Sequence, residues 1–243
     1  MGLGPKRLFL CCLLMLAAAP ALASPQAEFD DQLANALAQY RDASYQTAPT
    51  HSNKSAGQEA LQAFLASWSR LRDRWQSAAP PRYADDPGFA TSLNDIAEIG
   101  RETQFELTQD HLPQAHDRLR QVRALLADLR HRNGVALYLD ALEAFDDVLA
   151  ETADLGLDSP NLAPEQALRL TQQTAVLSYL MERLYKQAPA RLSDDPVFLD
   201  QLEELNRQII GLSLLIPLGR CEAVTAALAD LRRRLDKLML AYG

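Results

Sequence analysis

The stretch APPRYADDPGF at residues 79–89 returns as APARLSDDPVF at residues 188–198. Seven of the eleven positions are identical, and the two stretches lie 109 residues apart. A duplicated domain would carry this offset through the whole of each half, whereas a chance match would not. The residues on either side of the repeated stretch therefore decide between the two explanations.

The offset of 109 residues holds without a gap in four helical segments of each half. Apolar residues recur there at spacings of three and four, which is the pattern of a helix with one buried face. The paired positions are Phe29 with Tyr138, Leu33 with Leu142, Ala36 with Phe145 and Tyr40 with Leu149; Trp68 with Leu177, Leu71 with Leu180 and Trp75 with Leu184; Phe89 with Phe198, Leu93 with Leu202 and Ile96 with Leu205; and Ala115 with Val224, Leu119 with Leu228, Val122 with Leu231, Leu126 with Leu235 and Leu129 with Leu238. The sequence therefore predicts an all-α fold of two tandem up-and-down four-helix bundles, over residues 24–134 and 135–243.

Composition and helix-boundary signals agree with this fold. The chain has only 10 glycines, and unbranched side chains that favour helices dominate it. Ser55 and Gln58 have the spacing of a capping box at the start of the second helix. Asp86-Pro87 and Asp195-Pro196 are each read as an N-cap followed by a proline at the first helical position.

Residues 1–23 have the features of a secretory signal peptide. Lys6 and Arg7 precede an apolar run over residues 8–19, and residues 21–23 read ALA, which fits a signal-peptidase site. The apolar run is shorter than the roughly 20 residues that a membrane-spanning helix needs. We therefore expect cleavage before Ser24, a periplasmic or secreted chain, and no membrane insertion after cleavage.

The charge of the chain bears on its partners. The leader holds two of the 24 basic residues and none of the 32 acidic ones, so the mature chain has a formal net charge of −10. This sign disfavours nucleic acid and anionic membrane surfaces. Cys221 is the only cysteine beyond the leader, so the sequence predicts no internal disulfide. Its counterpart Leu112 favours a buried apolar position over a reactive thiol at a helix N-terminus.

The residues 78–82, AAPPR, followed by Asp86-Pro87, close the second helix and open the third. In this pattern each half resembles the small soluble periplasmic b-type cytochromes. The resemblance implies an exported four-helix bundle, with haem held by a Met early in helix one and a His late in helix four. His131 lies near the family's histidine position, but helix one contains no methionine in either half. The resemblance therefore implies fold and compartment without a complete pair of haem ligands, and we expect no cofactor.

Acidic residues and histidines at the end of the third helix form a candidate metal site. Carboxylate and imidazole groups together suit Zn, Cu or Ni. The candidate ligands are Glu106, Asp110, His111 and His116. Their counterparts in the second half, Leu215, Gly219, Arg220 and Thr225, could form no such site. The alternative is a solvated helix face without a metal.

The second half departs most from the first in helix seven, which is apolar all round over residues 209–218. A surface helix of a single bundle keeps a polar face. We therefore expect the outer side of helix seven to be covered by the first half, a second subunit or another partner. The candidate interface residues are Ile209, Ile210, Leu214, Leu215 and Ile216.

No catalytic motif accompanies these features. The chain has four histidines, no glycine-rich phosphate loop and no His-Glu-x-x-His sequence. The sequence therefore predicts an exported, non-enzymatic helical protein that binds a protein partner or a small ligand. The alternative is a haem-binding or metal-binding periplasmic protein.

Overall fold

The computed structural model describes residues 24–243, and the predicted signal peptide lies outside the described residues. The described chain is helical, with no strand beyond one isolated bridge between Asn161 and Arg220, so the all-α prediction is confirmed for this part. The helices are α1 (Pro25–Thr47), α2 (Lys54–Trp75), α3 (Phe89–Thr108), α4 (Leu112–Arg132), α5 (Tyr138–Ala153), α6 (Pro164–Lys186), α7 (Pro196–Leu215) and α8 (Cys221–Tyr242). Short 3-10 turns span Pro81–Tyr83 and Ile216–Leu218.

The buried apolar side chains form two clusters, one for each half of the chain. Helices α1 to α4 contribute the first cluster and α5 to α8 the second. Within each group of four, the first helix packs against the second and the fourth, and the third packs against the second and the fourth. Helix α1 also packs against α8, which joins the two groups.

The positions that the offset of 109 residues pairs are buried in both halves, with one exception. Both members of each pair are buried, except that Tyr138 is only partly buried where Phe29 is fully buried. Tyr138 nevertheless packs against the second cluster. Burial at these positions follows from the apolar spacing, because a helix that turns every 3.6 residues brings them to one face.

The helix starts follow the sequence signals only in part. Asp195 caps α7 as predicted, because its Oδ1 accepts hydrogen bonds from the amides of Val197 and Phe198. The predicted capping box of Ser55 and Gln58 is wrong: the N-cap of α2 lies two residues earlier, where Asn53 accepts from the Ala56 amide at 3.2 Å.

Asp86 is not the N-cap of α3 as predicted, because α3 begins at Phe89 after Gly88. The Asp86 carboxylate instead accepts from the Gly88 amide at 2.9 Å and from Nδ2 of Asn133 at 2.8 Å. Arg132 donates to the same carboxylate at 3.1 Å. Asp86 therefore links the loop before α3 to the C-terminal end of α4.

Two tryptophans are part of the first cluster, with both indole N–H groups satisfied. Trp68 is fully buried and donates to the Leu93 carbonyl at 2.9 Å. Trp75 donates to the side chain of Gln32 at 3.0 Å. Buried indole groups usually find such partners, so neither tryptophan needs a ligand. None of the helices described here is both long and apolar enough to cross a bilayer.

Candidate functional site

The junction between the two halves is built from charged side chains. Arg123 on α4 donates from Nη1 to Asp146 on α5 at 2.5 Å, and from Nη2 to Asp147. Arg130, two turns further along α4, donates from Nη2 to Asp140 at 2.5 Å. Where α4 faces α5, the first half thus supplies arginines and the second half supplies carboxylates, so the charges of these two helices are complementary.

A third arginine completes the network from α8. Arg232 pairs with Asp146 and, through Nε at 3.3 Å, with Asp236 on its own helix. Thr50, in the connection between α1 and α2, donates its hydroxyl to Asp236 at 2.6 Å. Asp236 therefore ties α8 to the first half as well.

Two of these arginines occupy equivalent positions in the two halves. The offset of 109 residues relates Arg123 to Arg232, and both pair with the single carboxylate of Asp146. The counterpart of Asp146 is Leu37, which is buried. One half thus supplies an acid where the other supplies an apolar residue, so the two equivalent arginines share one acceptor.

A cavity of about 40 Å³ lies at this junction. Side chains from α1, α4, α5 and α8 line it, so both halves are needed to form it. Its polar lining consists of Tyr40, Arg41, Ser44, Tyr45, His116, Arg120, Arg123, Glu143, Asp146, Arg232 and Asp236. The hydroxyl of Tyr40 donates to the Leu119 carbonyl at 3.0 Å, which fixes one wall.

A wider groove of about 380 Å³ lies beside the cavity. His116, Arg120 and Arg232 line both spaces. Apolar side chains of α5, its following loop and α8 form much of the groove lining: Leu149, Ala150, Ala153, Leu157, Leu228 and Ala229. This volume and mixture of apolar and polar groups fall within the range of small-molecule sites.

His116 is a buried neutral group in this site, only 9% exposed. Its Nδ1 lies 3.3 Å from the hydroxyl of Thr47, and that hydroxyl donates its proton to the Ala43 carbonyl at 2.9 Å. We therefore assign the proton of the ring to Nδ1, which leaves Nε2 as an acceptor. Burial, helped by the positive charge of Arg232, lowers the pKa of His116 to about 4, so the ring is neutral at pH 7.

Of the acids that line the cavity, Glu143 is the one most easily protonated. Burial raises its pKa to about 7, although Arg123 and Arg130 act in the opposite direction. Burial also raises the pKa of Asp236, against the neighbouring Arg232 and the Thr50 hydrogen bond. The negative charge of the cavity is therefore reduced near neutral pH.

Replacing Glu143 with Gln should make the stability of the protein less dependent on pH. The ordinary carboxyl pKa of 4.5 applies to the unfolded chain and about 7 to the folded one, so between these values only the folded state keeps the proton. The free energy of unfolding therefore falls as the pH rises from 4.5 to 7. Over this pH range we expect the free energy of unfolding of the wild type to fall by on the order of 2 kcal/mol. The free energy of unfolding of Glu143→Gln should not show this fall.

Urea unfolding at about pH 5 and about pH 8.5 measures this difference. Glu182→Gln is the matched control, because Glu182 is an exposed acid paired with Lys186 on α6. An equal pH dependence in wild type and Glu143→Gln would show that Glu143 does not titrate in this range.

The predicted metal ligands are only partly brought together. His111 Nδ1 lies 3.0 Å from Glu106 Oε2, while Asp110 pairs with Lys54 at 3.0 Å. His116 faces the junction cavity instead. Among the described residues, no group of three or more His, Cys, Asp or Glu side chains is placed to hold a metal ion.

His131, the candidate haem ligand, is more than half exposed, and its Nε2 lies 3.3 Å from Asp140 Oδ2. The side chain is thus engaged at the surface of the junction. Phe29, Trp75, Tyr83 and Phe89 pack ring against ring in the first cluster.

The predicted interface on helix seven divides into two faces. Ile209 and Ile216 are buried in the second cluster, and Leu215 packs against it. Ile210 and Leu214 are 53% and 68% exposed. Helix α7 packs mainly against α6, α8 and the turn that follows it. Coverage by the first half, one of three explanations for the apolar outer side, is therefore wrong.

Cys221 is buried at the start of α8, as its apolar counterpart indicated. It lies outside the junction cavity and the groove.

Sequence reasoning missed the residues of the junction because their partners are distant in the chain. Asp140, Glu143 and Asp147 lie at spacings of three and four on α5, where the first half has Asp31, Ala34 and Ala38. This stripe of acids on a helix that already has an apolar face was the available signal. Its meaning depended on arginines that come from other helices.

No protein-family model, curated protein or solved structure matches this chain.

Proposed function

We propose that this chain is an exported, non-enzymatic helical protein that binds a small ligand between its two halves. Each half is, in this proposal, one four-helix bundle of a tandem duplication. The equivalent burial of the residues paired by the offset of 109 supports the duplication. The predicted leader supports export, and Ser24 at its cleavage point accepts from the Ala27 amide as the N-cap of α1. Cleavage before Ser24 would leave this cap in place, and N-terminal sequencing tests it.

The observation that carries the binding function is the junction site. A cavity of about 40 Å³ lined mainly by polar residues and a partly apolar groove of about 380 Å³ share three side chains between the halves. A junction that served only to hold two domains together would be expected to fill such space, because protein interiors are close-packed. The sequence carries no recognised catalytic motif, so we favour binding over catalysis.

The mature chain should be screened by thermal unfolding against small acids, amines and neutral polar compounds. A ligand that binds only the folded state raises the unfolding temperature, and calorimetry then gives its affinity. Ala229→Trp places a large ring in the groove and should abolish binding, because Ala229 lines it. Ala226→Trp, on the same helix but outside the groove, is the control.

The alternative function, haem or metal binding, is tested on the same preparation. Protein expressed with haem available should show a Soret band if it holds haem, and metal analysis should show a stoichiometric ion if it holds a metal. Either result would favour the alternative over the binding of an organic ligand.

Self-association through α7 is a second candidate function. Ile210, Leu214 and Leu218 are exposed at four-residue spacing, at 53%, 68% and 66%. A second copy of the chain could cover this row with the same row, as in a two-fold symmetric dimer. Such pairing would give the exposed apolar face a partner without any further protein.

Replacing Leu214 with Asp should separate such a dimer without unfolding it. The side chain is 68% exposed, so the stability of the monomer should change by no more than about 0.5 kcal/mol. A charge buried in the dimer interface would cost far more. Light scattering should give a dimer for wild type and a monomer for Leu214→Asp, with unchanged circular dichroism.

Leu168→Asp, at a comparably exposed site on α6, is the control for added surface charge. A wild-type protein that stays monomeric at high concentration would remove self-association from consideration.

A further inference from the structure

Some charged side chains around the junction cavity have a partner of opposite charge, and others do not. Asp146 pairs with Arg123 and Arg232, and Asp236 pairs with Arg232. Glu143 lies 3.8 Å from Nη2 of Arg130. Each acid of the cavity lining therefore has a cation beside it.

Two arginines of the same lining have no such partner. Neither Arg41 nor Arg120 forms an ion pair with any residue that the structure describes. The Nε of Arg41 is also buried without a hydrogen-bond acceptor. A buried donor without an acceptor is unfavourable, because the hydrogen bond that it made to water in the unfolded chain is not replaced.

The bundle itself gives no reason for these two arginines. Their counterparts in the second half are Ala150 and Ala229, and both alanines line the groove. The first half thus has an arginine at each of these two positions, whereas the second half has a small alanine that leaves room in the groove. In a chain of formal net charge −8, two arginines without an ion-pair partner at one cavity, of which Arg120 is exposed, favour an acidic ligand there.

The size of the cavity restricts what the acceptor can be. A volume of about 40 Å³ holds about three water molecules, since each needs roughly 10–15 Å³ of accessible space. One carboxylate or phosphate group presents a similar number of oxygen atoms. Guanidinium groups bind these oxyanions well, because their N–H donors match the spacing of the oxygen atoms.

We propose that the junction cavity binds the oxyanion group of a small ligand, a carboxylate or a phosphate, between Arg41 and Arg120. This proposal rests on the proposed ligand-binding function and names the chemical class of the ligand. The guanidinium groups of Arg41 and Arg120, which both line the cavity, donate to the oxyanion. The remainder of a larger ligand lies along the apolar side of the groove, which shares Arg120 with the cavity.

The test uses the mature chain and calorimetric titration with sodium phosphate, sodium acetate and sodium octanoate at constant ionic strength. Sodium chloride and 1-octanol are the comparison solutes without an oxyanion. Arg41→Gln and Arg120→Gln should each weaken oxyanion binding about tenfold or more, as expected for loss of a charge-assisted hydrogen bond. Arg118→Gln should not, because Arg118 lies on the same helix but pairs with Glu102 at 3.0 Å.

The anions also distinguish the ligand sources. Preference for phosphate indicates a phosphate ester or free phosphate, and preference for octanoate over acetate indicates a carboxylate with an apolar body. Circular dichroism of all three variants ensures that a loss of binding does not come from unfolding.

Several outcomes would overturn the proposal. Equal loss in Arg118→Gln would indicate non-specific attraction, and equal binding of 1-octanol and octanoate would show that the oxyanion is not recognised. If the oxyanions fail but an amine or neutral ligand binds and Ala229→Trp blocks it, the proposed function stands and the oxyanion inference fails. If no compound of any class binds, both fail.

Discussion

Asparagine in place of Asp146 should lower the free energy of unfolding by about 3 kcal/mol. The Asp146 side chain is 4% exposed and pairs with Arg123 and Arg232, whose side chains are 12% and 22% exposed. Its removal leaves two largely buried cations with less compensation, and unpaired buried charges are strongly destabilising. Each arginine keeps one other acid, Asp147 or Asp236, so the effect stays below the cost of two isolated charges.

Urea unfolding followed by circular dichroism measures this effect. Asp147→Asn is the matched control, because Asp147 is the next residue and also pairs with Arg123 but is 55% exposed. An exposed pair contributes about 0–1 kcal/mol, so this variant should be close to wild type. Equal effects of the two substitutions would show that the junction network contributes no more than ordinary surface pairs.

Alanine in place of Trp68 should destabilise the first half by about 3–5 kcal/mol, the largest effect that we expect from a single substitution. The side chain is fully buried, packs against Phe64, and donates to the Leu93 carbonyl. The substitution removes this packing, leaves a cavity, and leaves a buried carbonyl without its donor. Leu177→Ala, at the equivalent position, should destabilise the second half by about 2–5 kcal/mol.

The two variants also test whether the halves unfold separately. Both tryptophans of the chain lie in the first half, so fluorescence reports on that half alone, while circular dichroism reports on all helices. In Trp68→Ala the remaining Trp75 should report a transition at lower urea, before the bulk of the helicity is lost. In Leu177→Ala, part of the helicity should be lost first and the fluorescence transition should move less.

Coincident fluorescence and circular dichroism transitions in both variants would contradict two separate units. The two apolar clusters would then fold as one cooperative body. The α1–α8 contact and the junction ion pairs would in that case couple the halves more strongly than the proposal assumes.

The apolar spacing was sufficient to predict the helices and the residues that they bury. Leu93 and Leu202, for example, are buried at equivalent places because each lies on the apolar face of its own helix. This information is local, since the helical repeat alone brings such residues to one side. Helix starts were predicted less well, because Asn53 and Ser55 are both competent caps and the surrounding packing selects between them.

The sequence by itself thus determined an all-helical chain and the buried faces of its helices, because helical periodicity is set by residues a few positions apart. Only the tertiary structure decided the candidate site. In the sequence, Asp146 is one of several acids on α5. Its pairing with Arg232, on α8, is visible only in the structure. Likewise, Tyr40 on α1 and Glu143 on α5 share one cavity because α1, α4, α5 and α8 converge there. Contacts between residues far apart in the chain leave no periodic signal, so their chemistry appears only when the helices are packed together.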